Sequence, residues 1–211
     1  ATTKNLDLIK NIEGIAGVKI YFGSSTGNLL VDNPDDVKKI FTEANRVFLV
    51  HAEDEKLIQS KIHDFKDLND PLIHTDIRPP RAAIKAVRDI LKLVEITKAR
   101  VHFCHVSTAG ELDLIAEAKK KGLNVTCEVS PHHLFLNSDE YHQQGNWVKM
   151  NPPLRPEEDR LALWERIKDG TIDTIATDHA PHTKEEKHLA YWDAPAGVPG
   201  VETMLPLLLN E

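Results

Sequence analysis

The chain has 211 residues, of which 41% are hydrophobic and 28% are charged, and its formal net charge is −7. These values are typical of one folded domain with a sizeable core, and they argue against nucleic acid or an anionic membrane as the main partner. No apolar stretch approaches the roughly 20 residues that cross a bilayer, and no signal peptide is visible. The two cysteines, Cys104 and Cys127, lie in apolar runs, so we expect buried free thiols in a reducing cytoplasm.

Short apolar runs alternate along the chain with longer segments of helical period. The runs predict five strands, at 18–22, 47–51, 101–106, 124–129 and 174–178. The runs are mostly continuous, which is typical of parallel strands that helices cover. The longer segments predict helices within 33–46, 78–99, 107–122 and 155–170. In the third of these, Thr108 and Glu111 stand at capping-box spacing, which predicts the start of the helix.

This alternation of strand and helix predicts an α/β fold with a parallel sheet and right-handed crossovers. Two architectures fit the pattern, an open doubly wound sheet and a (β/α)₈ TIM barrel. Polar residues end several successive strands instead of gathering at one switch point, and this favours the barrel.

Three of the strand-end residues, His51, His105 and Asp178, have side chains that bind metals. In a barrel they would converge on one mouth, where two imidazoles and a carboxylate suit a divalent ion such as zinc. Lys19 lies inside the first strand, where an inward ammonium is costly unless its charge is used or removed. Each residue also has an ordinary interpretation, such as a hydrogen-bonded core histidine or an aspartate that caps the next helix. Their joint occurrence on successive strands favours a site.

The chain has 11 histidines, an unusual number that raises the expectation of a metal site. For His102 we expect a structural role, and for His132 and His133 either a site or a loop-ordering role. His179 is expected to be a structural neighbour of the site. Four others fall in helix or loop contexts and are expected to be solvated: His63, His74, His142 and His188.

The string ATDHAPHTKEEK, residues 176–187, resembles the second signature of the dihydroorotases. The matching positions are Ala176, Thr177, Asp178, Ala180, Pro181, His182 and Lys187. The strings VHFCHVST, EVSPHHL, NPPLR and APAGVPGVET also stand in the order that this family shows. The chain therefore resembles the amidohydrolase superfamily of metal-dependent (β/α)₈ barrels, and within it the class I, lysine-bridged dihydroorotases.

The resemblance implies a role for each metal-binding candidate. Lys19 would be carboxylated and would bridge two Zn²⁺ ions, while His51 and His105 would bind the second zinc. Asp178 would bind the first zinc and carry the proton during catalysis.

The resemblance also implies the substrate and the residues that hold it. Asn151, His182 and the backbone at Ala196 and Gly197 would bind dihydroorotate, or carbamoyl-aspartate in the reverse direction. The implied partner is thus a small molecule in the cytoplasm, and the sequence leaves open whether the protein forms a homo-oligomer. Two alternatives remain: a cyclic amidase of the hydantoinase or allantoinase type, and a non-catalytic relative that serves as a scaffold.

One part of the family pattern does not occur in this sequence, namely the His-x-His pair of the first barrel strand. The five predicted strands would correspond to about strands 4 to 8. We therefore expect residues 1–211 to be an incomplete barrel domain, with the first strands, the His-x-His pair and a small β-domain preceding Ala1. The 211-residue chain by itself is expected to have weak activity or none.

Overall fold

The computed structural model describes residues 1–23, 29–31 and 33–211. Five parallel strands form one sheet in chain order: β1 (Val18–Phe22), β2 (Val47–Ala52), β3 (Arg100–Phe103), β4 (Val125–Val129) and β5 (Thr174–Ile175). Every described crossover leads to the adjacent strand, as in a consecutive arc of a (β/α)₈ barrel. A doubly wound sheet would reverse its strand order at a switch point, which these strands do not do.

Helices connect the strands and cover one side of the sheet. They are α1 (Leu6–Asn11), α2 (Pro34–Ala44), α3 (Glu55–Phe65), α4 (His74–Ile77), α5 (Pro80–Thr97), α6 (Ala109–Lys120), α7 (Pro131–Phe135), α8 (Glu140–Gln144), α9 (Glu157–Lys168), α10 (Lys184–Lys187) and α11 (Met204–Leu209). Single 3₁₀ turns lie at Thr3–Asn5, Pro71–Ile73 and Gly145–Val148. Within the described ranges, no helix combines the length and apolarity that crossing a bilayer requires.

Local capping explains where two of the predicted helices, α2 and α6, begin. At α2, the Asn33 side chain accepts a hydrogen bond from the Asp35 amide at 2.9 Å. At α6, the Thr108 hydroxyl accepts from the Glu111 amide at 3.2 Å, and the Glu111 carboxylate accepts from the Thr108 amide at 2.9 Å. The predicted capping box is therefore confirmed.

The two faces of the sheet differ in burial. The side chains of Val18, Ile20 and Phe22 are buried under the helices, whereas Lys19 and Tyr21 between them are only partly covered. The burial of β1 thus alternates, with the helix-covered side buried as expected for parallel strands that helices cover on the outside. The partly covered face is concave in a barrel and bears polar groups, which leads to the site.

Two predicted strands end earlier than expected. β3 ends at Phe103 and β5 at Ile175, whereas the apolar pattern continued to residues 106 and 178. Shortly after each strand, the backbone takes a positive φ, 36° at His105 and 45° at Asp178. A positive φ is incompatible with a strand, so it leads the chain away from the sheet at both points.

Candidate active site

A cavity of about 300 Å³ lies where the carboxyl ends of the strands meet. Its walls are formed by Lys19, Tyr21, His51, Arg78, His105, Met150, Asn151, Asp178, Ala180, Ala196 and Gly197. Seven of the eight residues proposed from the sequence thus share one cavity, and only His182 is not part of its walls. This convergence is what a barrel mouth provides, because successive strands deliver their ends to the same place.

The two histidines of the cavity form a close pair. His51 Nδ1 and His105 Nε2 face each other at 3.0 Å, and both rings are buried. Burial, together with the neighbouring His51 and Lys19, holds the pKa of His105 well below its ordinary value. The His105 ring is therefore neutral at pH 7, which is the form that binds metal.

A buried carboxylate fixes the orientation of His51. Glu53 is fully buried, and its Oε2 lies 3.0 Å from His51 Nε2 and 2.5 Å from Arg78 Nη1. Burial by itself would raise the pKa of Glu53, but Arg78 and His51 outweigh it and lower the pKa to about 2. Because this carboxylate accepts the Nε2 proton, the lone pair of His51 is on Nδ1, toward His105.

Glu53 and Arg78 were not among the residues predicted from the sequence. A signal for Glu53 existed, since a residue two positions after a strand-end histidine continues along the same side of the chain. Arg78 lies 25 residues further along, and only the fold brings it to Glu53.

Lys19 and Asp178 complete the polar side of the cavity. The Lys19 ammonium lies 5.4 Å from the centre of the Tyr21 ring. Partial desolvation raises the pKa of the Asp178 carboxyl above its ordinary value, and nearby Lys19 and His51 oppose that rise. In the protein without metal, the pKa of Asp178 thus lies closer to neutral pH than the pKa of a free aspartate does.

The histidine pair fits a metal ion in its geometry. Two nitrogens that each lie about 2.0–2.1 Å from a tetrahedral ion are about 3.3 Å apart, close to the 3.0 Å observed. His51 also has the carboxylate support on its other nitrogen that metal-binding histidines usually have. In the part of the chain described, however, no three His, Cys, Asp or Glu side chains are grouped closely enough to hold an ion. A third ligand near this pair would have to come from a group outside that set, such as Lys19.

The proposed substrate residues occupy the opposite wall. Asn151 Oδ1 is buried and has no hydrogen-bond partner among the described residues, so it is available to a ligand. Ala196 and Gly197 line the cavity with their backbone. His182 lies next to this wall without lining the cavity, since a Cβ built on Gly197 would lie 2.9 Å from His182 Nε2.

Of the histidines outside the pair, His74 requires a correction and His102 has its predicted role. The expectation that His74 is solvated is wrong: it is buried, and its ring nitrogens bond the Tyr191 hydroxyl at 2.8 Å and the Met150 carbonyl at 2.9 Å. Burial lowers the pKa of His74 to about 3. The predicted structural role of His102 agrees with its bonds to Thr126 and to Glu128, at 2.8 and 2.9 Å.

His133 and His179 also bond the backbone. His133 Nε2 lies 3.1 Å from the Pro152 carbonyl oxygen, and His179 Nδ1 accepts from the Gly200 amide at 3.1 Å. His133 thus orders its loop, and His179 is a structural neighbour of the site as predicted. Cys104 and Cys127 are buried free thiols, also as predicted.

Comparison with known proteins shows which proteins the chain resembles. No protein-family profile matches the chain. Curated relatives do: the chain is 40% identical over 195 residues to a dihydroorotase of Halobacterium salinarum, covering 91% of the chain and 44% of the relative. It is 36% identical over 219 residues to a dihydroorotase of Methanosarcina mazei, covering 98% of the chain and 48% of the relative. Over most of its length the chain is similar to dihydroorotases.

Solved structures place this chain in the amidohydrolase fold. L-hydantoinase (dihydropyrimidinase) from Arthrobacter aurescens superposes with a TM-score of 0.93 at 30% identity, covering 98% of the chain and 48% of the hydantoinase. Dihydroorotase from Saccharomyces cerevisiae superposes with a TM-score of 0.70 at 21% identity, covering 93% and 54%, which supports the fold. The chain spans about half the length of the curated relatives it matches.

Proposed function

We propose that the protein is a cyclic amide hydrolase that interconverts dihydroorotate and carbamoyl-aspartate, a step of pyrimidine synthesis. The observation that carries this proposal is the single cavity in which Lys19, His51, His105 and Asp178 meet. The dihydroorotase relatives support the substrate, since their similarity extends over most of the chain.

The chain's own donors suit zinc. His51 Nδ1 and His105 Nε2 would bind one ion, Asp178 would bind a second, and Lys19 would bridge both after carboxylation. Carboxylation would turn the Lys19 cation into an anion, which two dications can share. Bound zinc would supply Lewis acidity, making water nucleophilic near neutral pH and polarising the amide carbonyl.

Asp178 would move the proton. During hydrolysis, the attacking water forms a bond to the carbonyl carbon, the carbon–nitrogen bond of the ring breaks, and one water proton must reach the departing nitrogen. The Asp178 carboxylate would accept that proton and donate it to the nitrogen.

The wall opposite the histidines would hold the substrate. Asn151 offers a buried amide, and the backbone at Ala196 and Gly197 lies beside it. We propose that these groups bind the dihydroorotate ring, and that His182 reaches its carboxylate once that wall adjusts. The reaction would take place in the cytoplasm, in keeping with two reduced thiols.

A second candidate function is hydantoinase-type hydrolysis, because the hydantoinase structure superposes so well. The Ala-Pro-His segment that ends at His182 argues for a ring that bears a carboxylate. The scaffold alternative is disfavoured because the metal-binding candidates persist together in one cavity.

The test uses the natural gene product that contains this chain, purified with zinc. We expect turnover of dihydroorotate, little turnover of hydantoin or allantoin, and about two zinc ions per chain by elemental analysis. Preference for hydantoin would replace the substrate in this proposal. Absence of both zinc and turnover would favour the scaffold. The 211-residue chain alone is expected to turn over far more slowly, and normal turnover by it would contradict the incomplete-barrel interpretation.

A further inference from the structure

Two buried lysines lie directly behind the proposed substrate wall. Lys187 and Lys149 are 4% and 8% exposed. Burial lowers the pKa of each to about 8, and for Lys149 the neighbouring Lys187 and Arg78 add to the effect. In the described ranges, neither ammonium forms a salt bridge with a carboxylate. Burying a charge in this way is costly unless its hydrogen bonds compensate.

Backbone carbonyls provide that compensation. Lys187 Nζ donates to the carbonyl oxygens of Lys149, Pro195 and Gly197, at 3.1, 3.0 and 2.9 Å. These acceptors use all three hydrogens of the ammonium. They belong to two separate segments, one that leads to Asn151 and one that contains Ala196 and Gly197. The Gly197 amide also donates to the Lys149 carbonyl at 2.9 Å, so the ammonium strengthens a direct link between these segments.

Because the peptide bond is planar, holding the Pro195 carbonyl also fixes the direction of the Ala196 N–H. In a trans peptide, the C=O and the next N–H point in opposite directions. The Pro195 carbonyl points toward Lys187, so the Ala196 N–H points away from it. Ala196 lines the cavity, and its amide has no acceptor among the described residues. An oxygen atom of a ligand in the cavity would satisfy that amide.

We propose that Lys187 is a positioning residue of this site: its buried ammonium ties the Pro195–Gly197 loop to the Lys149 carbonyl and aims the Ala196 N–H at an anionic or carbonyl oxygen of the substrate. This inference rests on the proposed function for the identity of the substrate only. The carbonyl clamp itself is independent of what the cavity binds.

The experiment compares Lys187→Met with Lys184→Met in the natural gene product. Methionine keeps most of the length of the lysine stem but donates no hydrogen bond. Lys184 is exposed on the same short helix, so its variant controls for the loss of a positive charge from α10. Hydrogen exchange of peptides that cover residues 195–198, measured without substrate, reports on the clamp. Steady-state kinetics with dihydroorotate shows whether loss of the clamp changes KM or kcat.

We expect Lys187→Met to speed exchange of these amides at least about tenfold and to raise KM about tenfold or more, with kcat changed less than about threefold. Lys187→Arg, which keeps the charge and several donors, should restore part of the KM. Lys184→Met should match the wild type in both measurements. Unchanged exchange and unchanged KM in folded Lys187→Met would overturn the proposal.

Other outcomes are also decisive. If both Lys187→Met and Lys187→Arg fail to fold, Lys187 serves global stability and the positioning role is wrong. If the wild type does not turn over dihydroorotate, the proposed function fails, while the exchange data still decide whether the clamp exists. Faster exchange with an unchanged KM would mean that the clamp does not aim a binding group, and would overturn the assignment.

Discussion

Replacing Glu53 by glutamine tests whether this carboxylate prepares His51 for metal. Glutamine keeps the shape of the side chain but removes the charge that Glu53 Oε2 offers to His51 Nε2 and Arg78 Nη1. His51 then keeps at most a neutral amide oxygen as the acceptor for its Nε2 proton, which fixes that proton more weakly than a carboxylate does. Partners of this kind are usually worth about 10–100-fold in metal affinity. The expected loss in binding free energy for Glu53→Gln is therefore about 1.4–2.7 kcal/mol.

Glu53→Gln is also expected to lower the free energy of unfolding of the metal-free protein. Glu53 is fully buried, so Glu53→Gln breaks a buried ion pair with Arg78, and such losses cost about 3–5 kcal/mol. The Arg78 side chain remains 12% exposed and can regain some water, so we expect the lower end, about 3 kcal/mol. Urea unfolding of the metal-free protein measures this cost separately from the metal affinity.

The assay for affinity is zinc competition against a chromophoric chelator at neutral pH. The matched control is Asp54→Asn, one residue further along the chain. Asp54 caps α3 through the Leu57 amide and pairs with Lys85 at the surface. Asparagine is also a good cap and surface pairs contribute little, so this control should change stability by less than about 1 kcal/mol and leave zinc affinity unchanged. Wild-type zinc affinity in folded Glu53→Gln would refute the role of this carboxylate.

Three further substitutions are predicted. Asp178→Asn should lower kcat about 10²–10⁴-fold in the natural gene product, since the amide cannot carry the proton. A smaller loss of kcat in steady-state kinetics would contradict this role. Thr108→Ala removes the cap of α6 and should destabilise the protein by about 1 kcal/mol, seen by calorimetry as a fall in Tm of about 2–4 °C. Gly197→Ala places a Cβ 2.6 Å from the Ala180 carbonyl oxygen, so the cavity wall must move and KM for dihydroorotate should rise. An unchanged KM would indicate that the wall accommodates the Cβ without affecting substrate binding.

The order of elements could be predicted from the sequence because local signals determine it. Capping residues such as Asn33 and Thr108 act on amides within three positions, so their effect is visible in a short string. The apolar runs located all five strands, and the strand ends of the barrel then brought His51 to its expected place. The runs did not show where β3 and β5 end, because the positive φ values at His105 and Asp178 are not visible in the pattern of apolar residues.

The supporting groups of the site were harder to predict because they depend on distant contacts. His74 bonds Tyr191, which is 117 positions away, and Lys187 bonds the Lys149 carbonyl across 38 positions. The sequence does not distinguish a buried histidine or lysine from a solvated one, because burial depends on how distant parts of the chain pack around the side chain. The helix or loop context of His74 therefore suggested a solvated ring, which the fold corrects.

Backbone conformation at the site is a further feature that the residue types do not reveal. Four described residues other than glycine have a positive φ: Asn45, Lys98, His105 and Asp178. The first two end helices α2 and α5, where a left-handed residue is common and satisfies the last carbonyls.

His105 and Asp178 have no such reason, since each follows a strand, and a left-handed backbone costs about 1–2 kcal/mol there. The chain tolerates this cost at two residues of the proposed metal site, and in both cases the turn directs the side chain into the cavity instead of along the sheet. Strained residues of this kind concentrate where geometry serves a function. The two positive φ values therefore support a site at this cavity independently of the identity of its side chains.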